Sequence, residues 1–126
     1  MYPEDLKYHP EHAWAKIDGN TATLGITYYA QDQLGEIVFL ELPATGTEVK
    51  AGEPYAEIES VKSVSDVYSP VNGTIVETNR EVVEAPEIIN EDCYGAGWMV
   101  KVELADPSGV DDLLDAAAYE KLVSEE

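Results

Sequence analysis

The residue in this chain best placed to do chemistry is Lys62, in the run Glu59-Ser60-Val61-Lys62-Ser63. A primary amine can be a Schiff-base nucleophile, a charge, or the acceptor for a covalently attached group, and its neighbours decide among these. Most lysines are solvated charges, because the ammonium is strongly hydrated and seldom buried. Here Glu57 and Glu59 precede the amine, Ser69-Pro70-Val71-Asn72-Gly73 follows it, and no His or Cys is close in sequence to act as a partner base. A rigid turn that displays one amine in such a setting suits modification better than catalysis. An amide formed there would replace a hydrated cation with a long neutral tether able to carry a reactive group between sites.

The elements that would hold this turn are mostly strands. Val61, Val64 and Val67 alternate around the lysine and predict a hairpin with its tip near Lys62. Short β-rich runs lie at Thr21-Ala22-Thr23-Leu24, Glu36-Ile37-Val38-Phe39-Leu40-Glu41-Leu42, Tyr55-Ala56-Glu57-Ile58, Gly73-Thr74-Ile75-Val76-Glu77 and Trp98-Met99-Val100-Lys101-Val102. Each is bounded by Gly, Pro, Asn or Asp, as in an antiparallel sandwich or barrel. Asp18-Gly19-Asn20 predicts a tight hairpin turn. Thr27 can cap a short helix through Leu34, with Gly35 as its stop. Val110, Leu113, Leu114, Ala117, Ala118 and Leu122 recur at helical spacing, with Asp111 and Asp112 near the positive N-terminal end. A β core over about 13–104 and a C-terminal helix over about 108–123 are therefore expected.

A faint internal repeat adds to this. Gly35-Glu36-Ile37-Val38 returns as Gly73-Thr74-Ile75-Val76, and Ala56-Glu57-Ile58-Glu59 returns as Val100-Lys101-Val102-Glu103. Two copies of one strand unit, each unable to bury its apolar face alone, would pair about an approximate twofold and share a core. The segment 60–69 would then link the copies and protrude.

Composition narrows the functions. The 126 residues suit one domain, 1–126, with a globular rather than disordered composition. A net charge of -19 repels nucleic acid and anionic lipid headgroups, so neither is an expected partner, and it favours a soluble monomer. The same excess suits a high-salt cytosol, where screening removes self-repulsion. Cys93 is the only cysteine, which excludes an intrachain disulfide and points to an intracellular compartment. Its simplest role is that of a small buried hydrophobe. The start Met-Tyr-Pro-Glu-Asp lacks signal-peptide character and no apolar run is long enough for a membrane span, so a cytoplasmic location is expected. His12, just before Trp14, reads as structural, Trp14 and Trp98 read as core aromatics, and no metal site is indicated.

Over nearly its whole length the sequence resembles the H proteins of the glycine cleavage system. The matching stretches are Glu11-His12-Ala13-Trp14, Leu24-Gly25-Ile26-Thr27, Ala30-Gln31-Asp32-Gln33-Leu34-Gly35-Glu36-Ile37-Val38, Glu41-Leu42-Pro43, Glu59-Ser60-Val61-Lys62-Ser63, Ser65-Asp66-Val67-Tyr68-Ser69-Pro70-Val71-Asn72-Gly73 and Asn90-Glu91-Asp92-Cys93-Tyr94-Gly95-Ala96-Gly97-Trp98. The resemblance implies a lipoyl/biotinyl-type β-sandwich with lipoate in amide linkage at Lys62, as N6-lipoyllysine. It implies a non-catalytic carrier. The lipoyl disulfide would accept an aminomethyl group from glycine at a pyridoxal-phosphate-dependent glycine decarboxylase (P protein). It would deliver that group to an aminomethyltransferase (T protein) and be reoxidised by dihydrolipoamide dehydrogenase (L protein). It further implies that Glu59 serves recognition by the lipoylating enzymes and that Asp66 lines the cleft sheltering the loaded arm. Two departures stand out: the family's second Glu in Glu-His-Glu-Trp is replaced by Ala13, leaving Glu11 as a substitute, and Cys93 stands where the family commonly has Pro.

Rival readings separate on residues. A biotin carrier typically flanks its lysine with methionines, where this chain has Val61 and Ser63. A lipoyl domain of a 2-oxoacid dehydrogenase belongs with Pro/Ala-rich linkers, which are absent. A Schiff-base enzyme needs an amine that is buried or beside another cation, and the acidic neighbours of Lys62 supply neither. A carrier that relays lipoate to other enzymes, and a purely structural protein, stay open on sequence alone.

Overall fold

The β-rich runs pair into two antiparallel sheets in the computed structural model, which describes residues 2–105 and 113–125. In chain order the strands are β1 (Lys7–His9), β2 (Ala13–Asp18), β3 (Thr21–Ile26), β4 (Ile37–Glu41), β5 (Glu48–Val49), β6 (Pro54–Ser60), β7 (Val64–Tyr68), β8 (Gly73–Thr78) and β9 (Val100–Leu104). Interleaved are the helices α1 (Tyr28–Leu34), α2 (Arg80–Glu84), α3 (Glu87–Glu91) and α4 (Ala116–Ser124). The larger sheet runs β1-β2-β3-β9-β8-β5, and the smaller runs β4-β6-β7. Together they make an antiparallel two-sheet sandwich.

Burial follows the alternation of the strands. One apolar cluster gathers Ala15, Leu24, Ile75, Val100 and Val102 from the larger sheet, and a second gathers Ile37, Leu40, Ile58 and Val67 from the smaller, with Val82, Ile89 and Met99. Leu42 and Tyr55 pack against both and join them into one interior. A third cluster of Leu6, Tyr8, Trp14, Ala116 and Tyr119 seats α4 on the sheet end. Trp14 fits only because it lies opposite Gly25 in the β2–β3 register: a Cβ on Gly25 would stand 2.7 Å from the indole. The indole N–H then donates to the Cys93 carbonyl at 2.9 Å. That packing is the physical content of the Leu24-Gly25-Ile26-Thr27 stretch.

The internal repeat is visible in the pairing. Both β4–β6 and β8–β9 are antiparallel, and each slips register once, between Ile37 and Phe39 in the first and between Ile75 and Glu77 in the second. Those are equivalent positions of the repeat, and the bulged residues Val38 and Val76 are both exposed. A bulge adds one unpaired residue, bends the strand locally and increases its twist.

Several expectations need correcting. β1 lies outside the predicted core span and forms by pairing with Ala13–Ala15 of β2 and through two backbone hydrogen bonds of 2.8 Å between Tyr8 and Leu114. Those bonds hold Leu114 extended, so the C-terminal helix starts only at Ala116, capped by the Asp115 carboxylate on the Ala118 N–H. The part of the predicted helix over 108–112 lies outside the described residues. The helices α2 and α3 were not anticipated, nor was the short β5. Trp98 is half-buried rather than a core residue, with the Lys101 ammonium 5.2 Å above its ring.

Candidate functional site

The hairpin β6–β7 forms as predicted, with Glu59 paired to Val64 and only Ser60 to Ser63 left to make the turn. Ser60 is the buried anchor of this turn. Its hydroxyl accepts from the Lys62 and Ser63 N–H groups at 3.1 Å each, while its own N–H donates to the Ser63 carbonyl at 2.8 Å. A serine that satisfies two backbone donors fixes a tight turn without regular structure. Lys62 is thereby held at the exposed tip between two exposed valines, Val61 and Val64.

The tip rests on the end of α1. Thr27 caps this helix by accepting from the Ala30 N–H, and Gly35 stops it at φ 83° and ψ −149°, a conformation essentially reserved for glycine. The Val61 N–H donates to the Glu36 carbonyl at 3.0 Å. The Lys62 side chain lies across Gly35, where an added Cβ would approach its Cε to 3.0 Å. Helix stop and lysine seat are the same residue.

Beside the hairpin opens a cleft of about 310 Å³, walled by Ile26, Leu34, Ile58 and Val67 and bordered by Ser63, Val64 and Asp66 of the hairpin. Glu11, His12 and Ala13 border it from the other sheet. The structure therefore brings Glu11 and Asp66 to one cleft at the foot of Lys62, and Ala13, buried, contributes only a methyl to it. Asp66 sits on the edge strand β7 and also faces Glu57. Glu59 is not among the cleft residues. It is half-buried on the outer face, between Phe39 and Val64.

Sequence reasoning missed three residues here: Gln31, Asn90 and Tyr119. The Asn90 amide ties α3 to Gln31, Gly35 and Ile37. The Tyr119 hydroxyl lies 2.7 Å from His12 Nδ1 and 2.8 Å from Thr27 Oγ1, so α4 braces both the cleft wall and the cap of α1. His12 itself has φ 70°, uncommon outside glycine but one of the residue types that tolerates it. Gln31 and Asn90 both lie in stretches that match the family, which was the available signal for them. Tyr119 gave none, because its partners lie 107 and 92 residues away.

Cys93 is buried, and desolvation pushes its thiol up to about 12, which keeps it neutral and unreactive at ordinary pH. Among the described residues no group of His, Cys, Asp and Glu is arranged to hold a metal ion, and no helix is long and apolar enough to cross a membrane.

A two-sheet sandwich that presents one exposed lysine on a pinned hairpin beside a cleft with apolar walls and a polar rim falls in the lipoyl and biotinyl class. Residues 6–126 match the family model described as glycine cleavage H-protein. The chain is 53% identical to the glycine cleavage system H protein of Carboxydothermus hydrogenoformans, over 100% of this chain and 97% of that one. It is 48% identical to the Bacillus subtilis protein of the same name, over 98% of each chain. The crystal structure of a glycine cleavage system H protein from Mycobacterium marinum superposes with a TM-score of 0.89 at 39% identity, covering 97% of this chain and 98% of that one. The chain belongs to the glycine cleavage H-protein family.

Proposed function

We propose that Lys62 carries lipoate in amide linkage and that the chain is the mobile-arm carrier of the glycine cleavage system, without catalytic activity of its own. The observation that carries this is the exposed amine on a hydrogen-bonded hairpin with a cleft at its foot. When attached, lipoate supplies a strained cyclic disulfide that accepts the aminomethyl group of glycine and is restored by thiol–disulfide exchange. The residues present suit such a group. Its amide would sit at the tip, where Ser60 fixes the backbone, and the apolar walls Ile26, Leu34, Ile58 and Val67 would take a hydrocarbon arm out of water.

Glu11 and Asp66 give this cleft a rim of two carboxylates, which would pair with the cationic end of a loaded arm while the walls exclude water. Glu11 takes the part that Ala13 cannot. Glu59, beside the tip, is suited to recognition by lipoylating enzymes. Glycine decarboxylase loads the arm, aminomethyltransferase unloads it and dihydrolipoamide dehydrogenase reoxidises it, with the carrier acting as one cytoplasmic, monomeric domain.

Mass analysis of protein from lipoate-producing cells should find the lipoyl increment on the peptide containing Lys62. Its absence there refutes the attachment. The loaded protein should support exchange of bicarbonate into glycine by the decarboxylase, and an inert loaded protein would refute the glycine cleavage role.

A further inference from the structure

We infer that Asn90 is a positioning residue for Lys62, clamping the 35–37 strap from which the hairpin tip is hung; the inference rests on Lys62 being the attachment site. Asn90 Oδ1 accepts from the Ile37 N–H at 2.9 Å, and Nδ2 donates to the Gly35 carbonyl at 2.9 Å and to Gln31 Oε1 at 3.0 Å. Both amide hydrogens and the amide oxygen are in use. The two backbone partners straddle Glu36, whose carbonyl receives the Val61 N–H. One side chain thus fixes the residue the tip bonds to and the glycine the lysine lies across.

The strap needs such a clamp because of where it lies. β4 is an edge of the smaller sheet, so no strand pairs with its outer side. Its inner pairing with β6 is broken by the bulge just after Ile37. An edge N–H next to a bulge has neither a ladder partner nor a regular neighbour to hold it. Asn90 supplies the missing acceptor from α3, and Gln31 aligns the amide from α1. Loss of the clamp frees the strap and tip to sample other arrangements, and fewer molecules then present Lys62 in one geometry.

That geometry governs acylation. The neutral Lys62 Nζ attacks the carboxyl carbon of lipoyl-adenylate. The C–N bond forms as the C–O bond to AMP breaks, AMP leaves with the electron pair, and the nitrogen releases its proton to solvent. Small displacements of a reacting atom in such a step cost about tenfold to a hundredfold in rate.

The test uses the full unmodified chain with a lipoate–protein ligase, lipoate and ATP, following the lipoyl mass increment at Lys62. Asn90→Ala should lower kcat/KM by about tenfold or more. It should also speed hydrogen exchange at the Val61 amide while leaving the Ile75 amide, bonded to the Thr47 carbonyl in the other sheet, as in the parent. A merely structural loss would speed both. Asn90→Asp keeps the acceptor for Ile37 but no donor for Gly35, and should fall between the two. A folded Asn90→Ala protein that is acylated at the parent rate overturns the inference, and if that variant does not fold, Asn90→Asp decides by the same two readouts. Should the parent itself go unmodified at Lys62, the attachment reading fails, and the Val61-to-Ile75 exchange ratio still decides whether Asn90 holds the tip.

Discussion

In the pair β8–β9, Ile75 and Val102 face the core and Glu77 stands across from Lys101, with Nζ 3.9 Å from its carboxylate. In the pair β4–β6, the equivalent Ile37 and Ile58 face the core, but Glu41 stands across from Glu57, which stands across from Asp66. The buried positions of the two copies match in character, while their outward faces have opposite electrostatics. Lys101 of one copy corresponds to Glu57 of the other. The first pair lies inside the six-stranded sheet, and the second lies in a three-stranded sheet at whose hairpin end Lys62 is displayed. A strand unit that only has to hold the fold is neutralised on its surface. The copy next to Lys62 keeps like charges opposed, an arrangement that costs stability.

The widest separation between the copies should come from Lys62→Arg. The guanidinium cannot form the amide, so lipoylation and glycine–bicarbonate exchange should vanish, while urea denaturation should match the parent to within about 0.5 kcal/mol because the residue is exposed. Exchange activity surviving the change would place the carrier elsewhere. The converse change is Ile75→Ala in the scaffold pair. Ile75 is 1% exposed, and its truncation should destabilise by about 2–5 kcal/mol while the folded fraction is still lipoylated at Lys62. Val64→Ala, at a site 57% exposed on the display hairpin, should stay within about 0.5 kcal/mol. Equal losses for the two would erase the distinction between scaffold and display.

The contrast also marks what the sequence could tell. The hairpin, its lysine, the α1 cap and stop, and five of the strands were legible because each depends on local signals: alternation, a Thr cap, a Gly stop, a turn triplet. The elements that were missed depend on distant partners. Three residues of β1 show no pattern and are ordered by β2 and Leu114, and five-residue helices such as α2 and α3 are too short for a 3.6-residue period to emerge. Leu113 and Leu114 continue the apolar spacing of α4, yet the backbone of Leu114 is taken by Tyr8. At the site, Lys62 was found by motif, but the clamp by Asn90 joins residues 53 to 59 positions apart and has no periodic signature.

A smaller effect should follow from giving the display face the charge of its counterpart. Glu57→Lys converts two like-charge cross-strand neighbours, Glu41 and Asp66, into opposite-charge ones. At about 0.2–1 kcal/mol per pair it should raise stability at low ionic strength, and the gain should shrink in molar salt as screening removes both the old repulsion and the new attraction. Thermal melts of parent and variant at low and high salt check this. A gain independent of salt would mean that the effect is not electrostatic.

The smallest effect lies where the scaffold sheet reaches the cleft. His9 ends β1, and its Nδ1 accepts the Glu11 N–H at 3.0 Å, holding the turn that sets Glu11 and His12 on the cleft. Only an imidazole without a proton on that nitrogen can accept. Burial lowers the His9 pKa; the nearby Glu11 carboxylate opposes that shift and His12 adds to it. The unfolded chain takes up its proton near the ordinary value of 6.5, and the folded protein does so only at lower pH. Between those two points the unfolded state binds more protons, so the His9 contribution is full above about pH 6.5 and is lost as the pH falls through this window. The informative quantity is the difference between the parent and His9→Gln. That difference should decline from pH 7 to pH 5 in chemical denaturation, accompanied by faster exchange at the Glu11 amide. A difference that stays flat would mean that the scaffold holds the cleft rim without help from this nitrogen.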